Sequence, residues 1–126
     1  MKISKWPYFS KEEINEVKNV LLSGNVNAWT GKKVSSFEKD FAKHLGCKYS
    51  VALANGTLAL TAAYKAINLG ENDEFITTPR TFIATTSAGV TLGAKPVFAD
   101  IDLNTGNIDP KSIEPLINTK TKCISV

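Results

Sequence analysis

Histidine occurs once in these 126 residues and cysteine twice. Cys47 and Cys123 stand far apart, in neither a CxxC pair nor a His–Cys cluster, so the chain carries no zinc-ligand pattern and no disulfide framework. Thiols used this sparingly fit a reduced, cytoplasmic protein. Long apolar runs are missing as well. No stretch reaches the roughly 20 residues that a membrane-crossing helix needs. The opening Met1-Lys-Ile-Ser-Lys-Trp-Pro7 lacks the apolar core of a secretory leader, and no membrane partner is expected. An excess of one charge is also absent. Fifteen basic residues against twelve acidic ones leave a net charge of +3. The basic residues are scattered rather than gathered in a stripe, so nucleic acid is not an expected partner. Neither GxGxxG nor GxxxxGK[ST] occurs, since Gly24 and Gly31-Lys32 lack the spacing and the following hydroxyl. The one histidine, His44, falls late in an amphipathic helix between charged neighbours. No Ser–His–Asp or Cys–His set assembles around it.

What remains is an ordinary globular composition, 43% hydrophobic and 21% charged, at a length that suits one domain. Ser10 followed by Glu13 is a capping-box pattern, and Ile14, Val17, Val20 and Leu21 recur at helical spacing, which predicts a helix from Lys11 to Ser23 ended by Gly24. Asn25 to Gly31 reads as a loop. Phe37, Phe41 and Leu45 repeat every four residues and predict a second helix from Lys33 to Leu45, ended by Gly46. An apolar run from Tyr49 to Ala54 then reads as a buried strand and Leu58 to Leu69 as a helix. Further strands are expected over Glu74 to Thr78, Pro96 to Asp100 and Lys122 to Val126. Helices are expected over Phe82 to Leu92 and from Asp109-Pro110 to Ile117, the latter started by an Asp cap and a first-turn proline. Two helices followed by βαβαβαβ predict an α/β fold with a mostly parallel sheet flanked by helices.

The stretch with most chemical content is Ser50 to Tyr64. Its strand stops at Asn55-Gly56-Thr57 and a helix follows, so unpaired backbone N–H groups and the positive end of the helix dipole converge on one turn. That is a favourable place for a phosphate: Gly56 admits a close approach and Thr57 offers a hydroxyl. The same residues would also serve an ordinary capped turn. In open α/β sheets ligands lie beyond the C-terminal strand ends. Thr78 to Phe82 and the pair Asp100 and Asp102 are expected at that rim too. Phe82 reads either as a core residue at a helix start or as a flat wall for a planar heterocycle. Asp100-Ile-Asp102 reads either as a carboxylate pair for a divalent metal or as a strand end with a solvated turn, and no metal site is expected.

Taken together, several short pieces resemble the pyridoxal-phosphate-dependent sugar aminotransferases of the DegT/DnrJ/StrS group. They are Trp29-Thr-Gly31, Phe37-Glu38 and Phe41 ahead of Gly46, Ala54-Asn-Gly-Thr-Leu-Ala-Leu60, Thr78-Pro-Arg-Thr-Phe-Ile-Ala84, and Gly93-Ala-Lys-Pro-Val-Phe-Ala-Asp-Ile-Asp102. The resemblance implies a fold-type-I large domain of which residues 1–126 are the N-terminal segment, truncated at Val126. It implies pyridoxal 5'-phosphate as cofactor, with Gly56 and Thr57 on its phosphate and Phe82 stacked on its ring. It further implies a nucleotide-sugar substrate, glutamate as amino donor, and a homodimer.

Such chemistry needs a lysine that forms a Schiff base and a carboxylate facing the pyridine nitrogen. In the group both lie beyond the region matched here. Lys65 sits two turns into the helix after the phosphate turn, and Lys95 lies at the wrong end of its strand. No catalytic residue is therefore assigned, and the chain alone is expected to be inactive. Three alternatives stay open. The chain could pair with a full-length homologue through its Trp6-Pro-Tyr-Phe9 and Trp29 aromatics. It could belong to a dehydratase, in which histidine replaces the lysine. It could bind a sugar nucleotide through Asp100, Asp102 and a metal.

Overall fold

The ends of the first helix explain its position. In the computed structural model, which describes residues 6–126, α1 spans Lys11–Ser23. The capping box forms as expected: the Glu13 N–H donates to Ser10 Oγ at 3.1 Å and the Ser10 N–H to Glu13 Oε2 at 2.6 Å. Gly24 closes the helix with a left-handed φ of 70°. In the next turn Asn27 Oδ1 accepts from the N–H groups of Trp29 and Thr30. Helix α2 spans Lys33–Leu45, with Phe37 and Phe41 stacked at 5.4 Å. Lys33 forms an ion pair with Glu16 of α1. None of α1's residues is buried, so its apolar stripe stays open to solvent.

The chain divides into two compact units between Ala52 and Leu53. The second unit is built on a parallel sheet of three strands, β1 (Glu74–Thr77), β2 (Lys95–Phe98) and β3 (Thr121–Ile124), in the order β2-β1-β3. Helix α3 (Gly56–Ala66) precedes β1, and α4 (Ile83–Val90) connects β1 to β2. Phe75, Ile76 and Thr77 of the central strand, which is paired on both sides, are wholly buried. Phe75 packs on Tyr64 of α3 and on Gly89 of α4, so the two helices cover one face of the sheet. Leu69, Ala88 and Ala94 complete that core. Gly89 is required there: a Cβ on it would lie 2.5 Å from the Phe75 ring.

Two expectations from sequence need correction. The stretch Tyr49 to Ala54 is not a strand. The hydrogen bonds there run to α2 instead: the Ser50 hydroxyl donates to the Glu38 carbonyl and the Ala52 N–H to Glu38 Oε1. Without a neighbouring ladder an apolar run stays irregular, and Tyr49 and Val51 are exposed. The described sheet thus has three strands rather than four. The last helix is also shorter than expected. Helix α5 covers Pro110–Ile113, and a 3₁₀ turn over Glu114–Leu116 replaces the rest, because Pro115 has no N–H to give an α-helical bond. Residues 1–5, read above for a leader, lie outside the described residues.

At the N-terminal edge of the sheet, Glu74 accepts from Asn118 Nδ2 at 2.8 Å and from Lys95 Nζ at 3.1 Å. The Asn118 bond first and the Lys95 ammonium second hold its carboxyl below the ordinary carboxylate value. A lowered folded-state pKa contributes stability that is present above the ordinary value and lost as pH falls through the lowered one. Thermal unfolding measured from neutral pH to below about pH 4 should therefore show a declining acid limb. Glu74→Gln is expected to flatten that limb. An unchanged slope in the variant would assign the acid loss to other carboxylates.

Candidate functional site

Helix α3 begins at Gly56, two residues before the Leu58 start expected from the sequence. Asn55, extended at φ −164°, is its N-cap: Asn55 Oδ1 accepts from the Leu58 N–H at 3.0 Å, and its carbonyl accepts from the Ala59 N–H at 3.1 Å. These bonds satisfy the donors of the third and fourth residues of the helix. Among the described residues the N–H groups of Gly56 and Thr57 meet no protein acceptor, and neither does the Thr57 hydroxyl. A Cβ built on Gly56 meets no heavy atom within 4 Å. Three donors thus face open space at the positive end of an 11-residue helix, an arrangement able to hold a phosphate or another oxyanion.

Phe82 occupies the N-cap position of α4, and the residue is 76% exposed. In the described structure the side chain is a flat apolar surface at the C-terminal end of β1. Helices α3 and α4 pack together and are tied through Tyr64, whose hydroxyl lies 2.9 Å from the Thr85 carbonyl and 2.8 Å from Ser125 Oγ. A phenol has one proton, so Tyr64 donates to the carbonyl and accepts from the serine. One buried side chain therefore links the helix that starts at Gly56, the helix that starts after Phe82, and the end of β3. Sequence reasoning missed it. The available signal was an aromatic with a polar end inside an alanine-rich helix.

Asp100 and Asp102 serve the turn after β2. Asp100 Oδ1 accepts from the Ile101 N–H at 2.8 Å. Asp102 Oδ1 accepts from Asn104 and Thr105 N–H groups at 2.9 and 2.8 Å, and these bonds, Thr105's foremost, hold its carboxyl below the ordinary value. Ile101 bridges to Ile108 across the turn. Among the described residues no three His, Cys, Asp or Glu side chains gather as a metal set. Lys65 lies in the last turn of α3, away from Gly56. Lys95 begins β2 and is engaged by Glu74 at the opposite end of the strands. In the first unit Trp6, Tyr8, Phe9 and Trp29 are all strongly exposed.

The sequence model of the DegT/DnrJ/EryC1/StrS aminotransferase family matches residues 7–126. The spore coat polysaccharide biosynthesis protein SpsC of Bacillus subtilis is 47% identical over 118 residues, 94% of this chain and 30% of that protein. The dTDP-3-amino-3,6-dideoxy-alpha-D-galactopyranose transaminase of Aneurinibacillus thermoaerophilus is 41% identical over 120 residues, 94% of this chain and 32% of that protein. Among solved structures, an aminotransferase from Psychrobacter cryohalolentis superposes with a TM-score of 0.92 at 50% identity, over 98% of this chain and 31% of that one. NtdA of Bacillus subtilis, solved with bound cofactor PMP, superposes with a TM-score of 0.83 at 31% identity, over 98% of this chain and 30% of that one. The chain thus spans about 30% of the length of the proteins it matches.

Proposed function

The chain belongs to the DegT/DnrJ/EryC1/StrS aminotransferase family, and on that premise we propose that it carries the cofactor-phosphate site of a sugar aminotransferase. The reaction is transfer of an amino group, with glutamate as donor, to a keto group on a nucleotide-linked deoxysugar. Residues 1–126 are then the N-terminal segment of the large domain of a homodimeric enzyme. The observation that carries this reading is the set of three unpartnered donors at the start of α3: the N–H groups of Gly56 and Thr57 and the Thr57 hydroxyl.

Pyridoxal 5'-phosphate, when bound, supplies the electron sink that amino-group transfer requires. This chain's own residues bind and orient it. Gly56 and Thr57 hold the phosphate, and the Phe82 ring offers a face to the pyridine. The PMP-containing relative supports the cofactor. The dTDP-sugar transaminase and the polysaccharide biosynthesis protein support the substrate class. The exposed Trp6, Tyr8, Phe9 and Trp29 suit a surface covered by a second subunit. With Lys65 and Lys95 directed elsewhere, the 126 residues alone are expected to turn over no substrate.

Titration with pyridoxal phosphate, followed through the backbone-amide NMR signals of Gly56 and Thr57, tests the assignment. Saturable shifts are expected. Gly56→Val puts a branched side chain where the anion approaches. It should weaken binding at least about tenfold, the factor that loss of 1.4 kcal/mol produces, while leaving the thermal midpoint nearly unchanged, since a Cβ there meets no protein atom. Equal affinity in the variant would remove the phosphate from this turn.

A further inference from the structure

Arg80 is, among the described residues, a cation without a partner. Among the described residues its guanidinium makes neither an ion pair nor a hydrogen bond, although three carboxylates lie in the neighbouring turn. Each of them is engaged by backbone N–H groups: Asp100 by Ile101, Asp102 by Asn104 and Thr105, Asp109 by Lys111. The guanidinium lies against Gly106, in the space that a side chain at that position would fill, and Gly106 holds a left-handed φ of 69°. Only glycine suits both the turn and the guanidinium.

Arg80 faces a cavity of about 420 Å³, lined also by Thr78, Thr81, Gly106 and Asn107, with no acidic side chain in its wall. Thr78 Oγ1 accepts from the Arg80 N–H at 3.3 Å and keeps its own proton to give. The Asn107 side-chain amide has no partner among the described residues. The position carries weight as well. The chain runs from β1 outward to β2 and then returns past β1 to β3. Ligands of open α/β sheets bind beyond the C-terminal strand ends. Thr78 follows β1 and Val126 follows β3, and both line this cavity.

We propose that this cavity is a second anion subsite, distinct from the Gly56-Thr57 turn, in which Arg80 with Thr78 and Asn107 takes a phosphate group of a nucleoside diphosphate. A guanidinium fork with hydroxyl and amide donors around it matches a tetrahedral anion having several acceptor oxygens. The volume exceeds what one phosphate needs and falls in the range of small-molecule sites. The proposal deepens the reading above, and rests on it, only in naming a nucleotide: a nucleotide-linked sugar carries such a diphosphate.

The test uses the ¹⁵N-labelled chain and its Arg80→Gln variant, titrated separately with inorganic phosphate and uridine diphosphate. Arg80 is exposed, so the variant should fold as the parent does. Saturable shifts of the Thr81, Gly106 and Asn107 amide signals are expected, tighter for the diphosphate and weakened at least about tenfold in the variant, the effect of about 1.4 kcal/mol. Shifts of equal midpoint in parent and variant, or no saturable shift, would overturn the subsite. Equal affinity for the two ligands would overturn the nucleotide assignment. Signals of Gly56 and Thr57 during a pyridoxal phosphate titration report on the cofactor site alone. Their response should be the same in both proteins, so either site can fail without the other.

Discussion

Phe75→Ala is expected to destabilise the second unit by about 3–5 kcal/mol, the range for removing a buried aromatic ring from a packed core. The residue is wholly buried on the central strand, with its ring centroid 5.5 Å from that of Tyr64 and its edge against Gly89. Neither neighbour can fill the gap. Gly89 has no side chain to extend, and Tyr64 is held by its hydroxyl bonds to Thr85 and Ser125. A domain stable by about 5–15 kcal/mol would lose a large share of its margin. Urea unfolding monitored by circular dichroism is the measurement. The midpoint should fall sharply with little change in slope, and a loss under about 1 kcal/mol would show that the cavity collapses or that the core lies elsewhere.

Tyr64→Phe separates the ring from its hydroxyl. It keeps the stacked contact and removes one donor and one acceptor at a 5% exposed position. The Thr85 carbonyl and the Ser125 hydroxyl then lose their partner, at a cost of about 1–3 kcal/mol for unsatisfied buried groups. Tyr64→Ala removes the ring as well and should cost about 3–5 kcal/mol. The difference between the two variants in the same urea experiment gives the ring's share. If Tyr64→Phe unfolds at the wild-type midpoint, the hydroxyl contributes nothing to tying α3, α4 and β3 together.

Local features were legible in the sequence wherever the cause is local. Ser10 with Glu13 announces a helix start because both bonds of the box fall within four residues, and they form. Gly24 and Gly46 announce helix ends because the left-handed conformation is cheap for glycine. The alternation of helix and strand gave the α/β class and the parallel pairing of β1 with β2 and β3. The Tyr49 to Ala54 strand failed because a ladder is a non-local object, and an apolar run cannot report whether a partner lies beside it. Asn55 was legible as part of a turn, yet its role as N-cap, which leaves only the Gly56 and Thr57 N–H groups free, depends on where the helix starts by two residues. Tyr64 stood out as a polar-ended aromatic in an alanine-rich helix, but its pairing with Ser125, like that of Arg80 with Gly106, joins positions far apart in the chain and could not be read from the sequence.

The strand order also sets a sequence of events during synthesis. β1 is the centre of its sheet, but both of its neighbours come later in the chain. Glu74 to Thr77 have no ladder until Lys95–Phe98 have left the ribosome, and one edge stays unpaired until Thr121–Ile124 follow. Parallel pairings of this kind are slow to close, because the intervening loop must be ordered first. The most buried strand of the described sheet is therefore, on the nascent chain, an apolar edge exposed to any other strand nearby.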